Sequence, residues 1–334
     1  MCEHSLYVQA GEILARHGWS AAHLGFIGAG EQSACYGTKD VAVLLSRSDA
    51  GESVAHLTGH VIPGSDAATS CNDYAVLQWL TARAADAGVR TPRILAIGDD
   101  PRPYALIQRA HGTLASAHPL ATESAANWFG QLGAEIRKTN LVETTGFGMF
   151  VPDGSGGYRG RFATWTDYLN RWLGVHLCVG QFRPEDEKVL NLLLAQRIVT
   201  EADLAAVASK VREAQEWPVR SVLTHYDNRL DNLVVDADEI TVLDWGLSLA
   251  GTGIHQELIK LFESGPMSMK NPRVAAFFHG YGLSDAECVE AIGRGKLMLV
   301  LDGLAMSYGW ADQPDRLEGI RAWLRTVQRI SSAW

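Results

Sequence analysis

The sequence predicts an α+β chain in two lobes, a small β-rich N-terminal lobe over residues 1–108 and a larger, mainly helical C-terminal lobe over 109–334. Three observations predict it. Short apolar runs punctuated by Gly and Pro fill residues 26–47 and 91–108, the pattern of strands joined by turns. Beyond Gly112, apolar residues recur at helical spacing in stretch after stretch. One apolar pair, centred on residues 233–243, interrupts those helices. A β-rich lobe followed by a helix-rich one leaves a cleft, where ligands tend to sit.

Taken in order, residues 8–24 read as an opening helix, with Ala10, Ile13, Leu14 and His17 at helical spacing. Val41-Ala42-Val43-Leu44-Leu45 reads as a buried strand. Residues 48–71, rich in Gly, Ser, His and Ala, read as an irregular insertion. A helix over Asp73–Ala85 carries Val76, Leu77, Leu80 and Ala84 on one face. Strands follow at 91–98 and 104–108, with a Pro-containing turn between them, and then helices at 121–139, 164–174, 185–196 and 200–215. Ser221-Val222-Leu223-Thr224 is a short apolar break, and helices resume at His255.

The composition excludes several classes. With 334 residues, 47% hydrophobic and 20% charged, the chain can bury a core and is not disordered. A net charge of -9 disfavours nucleic acid and suits a cationic ligand as well as simple solubility. Cys2, Cys35, Cys71, Cys178 and Cys288 are scattered and form no C-x-x-C pair, so neither a disulfide framework nor a zinc site is expected. No secretory signal and no run of 18 apolar residues is present, so the expectation is a cytoplasmic protein with no membrane partner.

The chemistry concentrates in residues 222–246, VLTHYDNRLDNLVVDADEITVLDWG. Leu233-Val234-Val235 and Ile240-Thr241-Val242-Leu243 flank the polar turn Asp236-Ala237-Asp238 and should pair as a hairpin. A hairpin sets its outer ends side by side, so Asn232 and Asp244 can converge on one cation, and their oxygens suit Mg2+. Asp227, five residues before Asn232, is placed to meet a hydroxyl. One carboxylate to orient the attacking hydroxyl and two oxygen ligands for the metal are what phosphoryl transfer from ATP or GTP requires.

His225-x-Asp227-x4-Asn232 followed by Val242-Leu243-Asp244-Trp245 resembles the catalytic and metal loops of the aminoglycoside phosphotransferase family, which shares the protein-kinase-like fold. The segments Thr144-Thr145-Gly146-Phe147-Gly148 and Ala163-Thr164-Trp165 are similar to the hygromycin B phosphotransferases of that family. The resemblance implies a bilobal kinase-like fold and a donor site. Within FIGAGEQSACY, Gly28, Gly30 and Ser33 fall where a phosphate-covering hairpin would lie. The backbone of Gln108 and Ala110 would bond the purine edge. The strand lysine of kinases is replaced by Leu44, and Arg47 or Lys39 could supply its charge. Arg229 reaches the γ-phosphate or forms a surface salt bridge. Asp73 pairs with a strand cation or caps its helix, and Glu257 supports the catalytic loop or meets a substrate ammonium. His225, His255, His279, Trp310, Trp323 and Trp334 read as packing residues.

The function so implied is O-phosphorylation of a small molecule, foremost an antibiotic, by a monomer or homodimer. A metabolic kinase for choline, homoserine or a sugar is the first alternative. A nucleotide-binding pseudokinase, suggested by Leu44, is the second.

Overall fold

The computed structural model describes residues 3–29, 33–47, 74–118, 123–178, 184–195, 197, 199–237, 239–261 and 268–310. The described chain divides into two compact units. The first takes the residues before 119 together with Leu230–Gly246, and the second runs from 123 to Arg229 and from Leu247 onward.

In the first unit, helix α1 (Glu3–Arg16) lies against a sheet of five antiparallel strands: β1 (Gly25–Ala29), β2 (Ser33–Gly37), β3 (Val41–Ser46), β4 (Ile94–Gly98) and β5 (Tyr104–Gln108). Their order is β1-β2-β3-β5-β4. The two-residue side-chain period sorts β3 by face. Val41, Val43 and Leu45 join Ala34, Tyr36, Tyr104 and Leu106 in a core closed by Leu6, Ala10, Ile13 and Leu14 of α1. Leu44 falls on the opposite face, in register with Cys35 and Ala105. Helix α2 (Tyr74–Asp86) packs on β4, with Leu80 and Ala84 buried as their spacing demands. The opening helix begins and ends earlier than residues 8–24 suggested. Gly18 takes φ 76°, and Trp19 N–H turns back to the Leu14 carbonyl at 2.9 Å, which stops the helix after Arg16. Asp73 and the insertion at 48–71 lie outside the described residues.

The expected hairpin forms. β10 (Leu233–Asp236) and β11 (Glu239–Val242) pair in the register Leu233↔Val242 to Asp236↔Glu239, with β6 (Thr113–Leu114) on the other edge of β10. Gly112, at φ 113°, brings the chain so close to β10 that a Cβ there would strike the Val235 carbonyl.

The second unit is helical around a small sheet. Its helices are α3 (Glu123–Asn140), α4 (Trp165–Leu177), α5 (Pro184–Ala195), α6 (Glu201–Ala214), α7 (Ile254–Leu261), α8 (Pro272–Tyr281) and α9 (Asp285–Trp310). The α4 and α6 helices start where Thr164 and Thr200 accept the Asp167 and Asp203 N–H groups, ordinary side-chain N-caps. The small sheet, with β8 (Tyr158–Phe162), β7 (Phe147–Pro152), β12 (Leu249–Gly251) and β9 (Val222–Thr224) in that order, occupies stretches to which the sequence assigned no helix. β9 coincides with the apolar break at residues 221–224, whereas β7, β8 and β12 had no counterpart in the sequence reading. β8 reads YRGRF, whose aromatic–Arg alternation has only Gly160 at its centre, and β12 spans three residues, so each carries too short an apolar signal to mark a strand.

Candidate active site

The hairpin fixes the two expected metal ligands. One step beyond the Leu233↔Val242 pair, Leu243 N–H donates to the Asn232 carbonyl at 2.8 Å, so the ladder continues to residue 232 and Asp244 follows at the hairpin mouth. Asp244 is exposed and takes φ 54°, and its Oδ1 accepts the Gly246 N–H at 3.3 Å. The segment is anchored on either side of it. Val242 N–H bonds the Arg90 carbonyl at 2.9 Å, and the buried Trp245 donates its indole N–H to Thr91 Oγ1 at 2.8 Å. Among the described residues no group of three or more His, Cys, Asp or Glu side chains is placed to hold a metal. An Asn–Asp pair of hard oxygens fits Mg2+, which keeps waters and phosphate oxygens as its remaining ligands.

The loop leaving β9 is held from beneath. Glu257, fully buried in the first turn of α7, accepts four N–H donors. Its Oε1 takes His225 N–H at 2.8 Å and Asn140 Nδ2 at 2.9 Å. Its Oε2 takes Tyr226 N–H at 2.9 Å and Asn228 Nδ2 at 2.7 Å. Asn140 is fixed in turn, donating to the Leu223 carbonyl and accepting from the Tyr281 hydroxyl. Of the two readings of Glu257, the loop support is therefore present. Tyr226 adopts φ 72°. For a bulky residue such a conformation costs about 1–3 kcal/mol, so the surroundings must impose it. His225 is buried, and its carbonyl accepts the Ser248 hydroxyl at 3.4 Å, in keeping with a packing role.

Asp227 is 4% exposed at the end of this braced loop. Arg229 Nε donates to its Oδ1 at 2.7 Å and Nη2 to its Oδ2 at 3.5 Å, while the Arg229 side chain remains 45% exposed. The salt bridge foreseen for Arg229 exists, and its partner is Asp227 itself.

The candidate donor residues are placed less completely. Gly28 lies in β1 opposite Cys35, just past a shift in register, while Gly30 lies outside the described residues. The Ser33 hydroxyl is 3.1 Å from that of Tyr74. Arg47 follows β3 and is exposed, and Lys39, also exposed, precedes it in the β2–β3 turn. Gln108 spends its own N–H on the Arg93 carbonyl at 2.8 Å, whereas the Ala110 N–H has no partner among the described residues.

Two buried groups escaped the sequence reading. Lys260 and Asp302 pair at 2.9 Å, and Asp302 accepts the Tyr226 hydroxyl at 2.6 Å. Each is a lone charge in an apolar helical run, Leu258-Ile259-Lys260-Leu261 and Leu299-Val300-Leu301-Asp302, which was the available signal. His279 corrects a packing expectation. It is exposed, because Val274, Phe277 and Phe278 form the buried face of α8. His255 is packed as expected, against Trp217. Trp323 and Trp334 lie outside the described residues.

Comparison with known proteins sets these elements in a family. No curated protein sequence matches the chain. Among solved structures, aminoglycoside phosphotransferase APH(4)-Ia superposes with a TM-score of 0.64 at 17% identity, over 98% of this chain and 99% of that one. A thermostable mutant of it, in ternary complex with AMP-PNP and hygromycin B, gives 0.63 at 16% identity over 96% and 98%. The GDP complex of aminoglycoside 2'-phosphotransferase-IIIa gives 0.60 at 13% identity over 100% of both chains. At these identities the likeness is one of fold, and it is the α+β kinase-like fold that the sequence led us to expect. Residues 62–292 match the family model described as the phosphotransferase enzyme family, APH, a span that holds the braced loop, the hairpin and Glu257. The chain belongs to that phosphotransferase family.

Proposed function

We propose that this phosphotransferase moves the γ-phosphate of ATP or GTP to a hydroxyl of an aminoglycoside-type antibiotic. The observation that carries the proposal is the buried Asp227 carboxylate, set on a loop that Glu257 grips through consecutive backbone amides. A carboxylate so fixed can orient a hydroxyl and take its proton, and positioning supplies much of the rate of phosphoryl transfer. Arg229 holds both Asp227 oxygens and so sets the plane of the carboxylate. Asn232 and Asp244 would hold Mg2+, which neutralises triphosphate charge when bound. Gly28, Gly30 and Ser33 would present backbone amides to the phosphates, Gln108 and Ala110 would meet the purine, and Arg47 would take the place of the strand lysine. By this reading, residues 1–108 are the nucleotide lobe and 109–334 the catalytic and acceptor lobe. Relatives of the same fold are seen with AMP-PNP and hygromycin B and with GDP. The net charge of -9 favours a polycationic acceptor.

Purified protein incubated with Mg-ATP or Mg-GTP and hygromycin B, streptomycin, choline or homoserine tests the proposal by mass spectrometry. A phosphate adduct on an aminoglycoside is expected, as is a fall of about 10²–10⁴ in turnover for Asp227→Asn with nucleotide affinity retained. Adducts on choline or homoserine alone would replace the antibiotic reading, and full turnover by Asp227→Asn would remove Asp227 as the base.

A further inference from the structure

Tyr226 is gripped at both ends. Its backbone N–H is bound by Glu257, and its hydroxyl, at the far side of a buried ring, donates to Asp302 Oδ1 at 2.6 Å. Asp302 Oδ2 is neutralised by Lys260 at 2.9 Å, and the two side chains are 9% and 4% exposed. Lys260 stands three residues after Glu257, so one turn of α7 holds the amide of Tyr226 directly and its phenol through Asp302 of α9. The residue held this way has φ 72° and immediately precedes Asp227.

A buried ion pair is weak evidence for stability, because apolar residues of similar volume would hold two helices as well. What an apolar trio lacks is direction. A short hydrogen bond to a charged acceptor fixes where the phenol ends, and with its amide also fixed the backbone between has little freedom. We propose that Tyr226, Asp302 and Lys260 form a positioning clamp that locks the left-handed peptide at residue 226 and thereby aims the carboxylate of Asp227, an inference that rests on Asp227 being the group that meets the acceptor. The phenol takes no proton itself. Burial first, and then the Asp302 carboxylate, hold its pKa well above the ordinary tyrosine value, so it stays a donor.

The test compares Tyr226→Phe, which removes one oxygen, with the pair Asp302→Leu/Lys260→Met and with the triple combination. Each is assayed for hydrolysis of Mg-ATP by water and for affinity for ADP, with amide exchange read over residues 225–229. Tyr226→Phe should lower kcat about 10- to 100-fold, leave the KM for ATP within about twofold, and speed exchange at residues 225–227. The pair should show the same loss, and the triple variant no more, because the three groups act as one. An unchanged kcat in Tyr226→Phe overturns the clamp, as do losses that multiply in the triple variant. Should the pair fail to fold, Tyr226→Phe decides alone. Asp227→Asn separates the two readings: full turnover there removes the premise, whereas an inactive Asp227→Asn beside a fully active Tyr226→Phe removes only the clamp.

Discussion

Replacing Glu257 by Gln should destabilise the protein by about 2–6 kcal/mol while changing one atom, and the arithmetic follows from the four donors on its carboxylate. His225 N–H and Asn140 Nδ2 share Oε1, and Tyr226 N–H and Asn228 Nδ2 share Oε2. A Gln amide offers one acceptor oxygen and an NH2, so whichever way it turns, two of the four donors face another donor. Each orphaned buried donor costs about 1–3 kcal/mol. Rotating the Asn140 amide gives no relief, because its Nδ2 also serves the Leu223 carbonyl and its Oδ1 the Tyr281 hydroxyl. Since domains are stable by about 5–15 kcal/mol, Glu257→Gln should fold but unfold at lower urea, whereas Glu257→Ala, which orphans all four, should not accumulate as native protein. Urea unfolding followed by tryptophan fluorescence measures the loss, and amide exchange at residues 225 and 226 locates it. A loss under about 1 kcal/mol with protection intact would refute the reasoning, since four buried donors would then have been satisfied some other way.

Three further outcomes follow from single sites. Gly112→Ala should cost more than about 2 kcal/mol by thermal melting, because φ 113° is strained for any side chain and the Cβ would meet the Val235 carbonyl. Burial first, and the Arg294 charge second, lower the His255 pKa from 6.5 to about 4, so the unfolded chain binds the extra proton between these values. Stability is then complete above about pH 6.5 and falls by on the order of 3 kcal/mol as the pH drops toward 4, an acid limb that His255→Gln should lack in urea titrations at pH 7 and 4.5. Arg47→Ala should raise the KM for ATP about three- to tenfold without lowering kcat, and an unchanged KM would leave Lys39 to be tried in the same assay.

How much of this the sequence disclosed depends on the range of the interactions involved. The β10–β11 hairpin was legible because its two apolar runs flank a short polar turn, a local signal, and its register then put Asn232 beside Leu243 and Asp244 at the mouth with no further information. Asp227 was legible through its spacing from Asn232 along one stretch of chain. Of the machinery that holds Asp227 still, Glu257 was foreseen through the family resemblance as a support of the catalytic loop, but its partners and the Tyr226–Asp302–Lys260 contacts were not. Asn140 reaches Glu257 across 117 residues, and Tyr226 reaches Asp302 across 76, and nothing local to any of them says which partner it takes. Their types even point elsewhere. An Asn at the end of α3 reads as a helix terminus. Lone charges in apolar helical runs signal that a partner exists, because an unpaired buried charge is too costly to keep, but the partner's identity belongs to the tertiary fold. The same logic explains the missed strands. β8 carries Arg159 and Arg161 and is defined by pairing with β7, so its strand character lies in the neighbour rather than in its own residues.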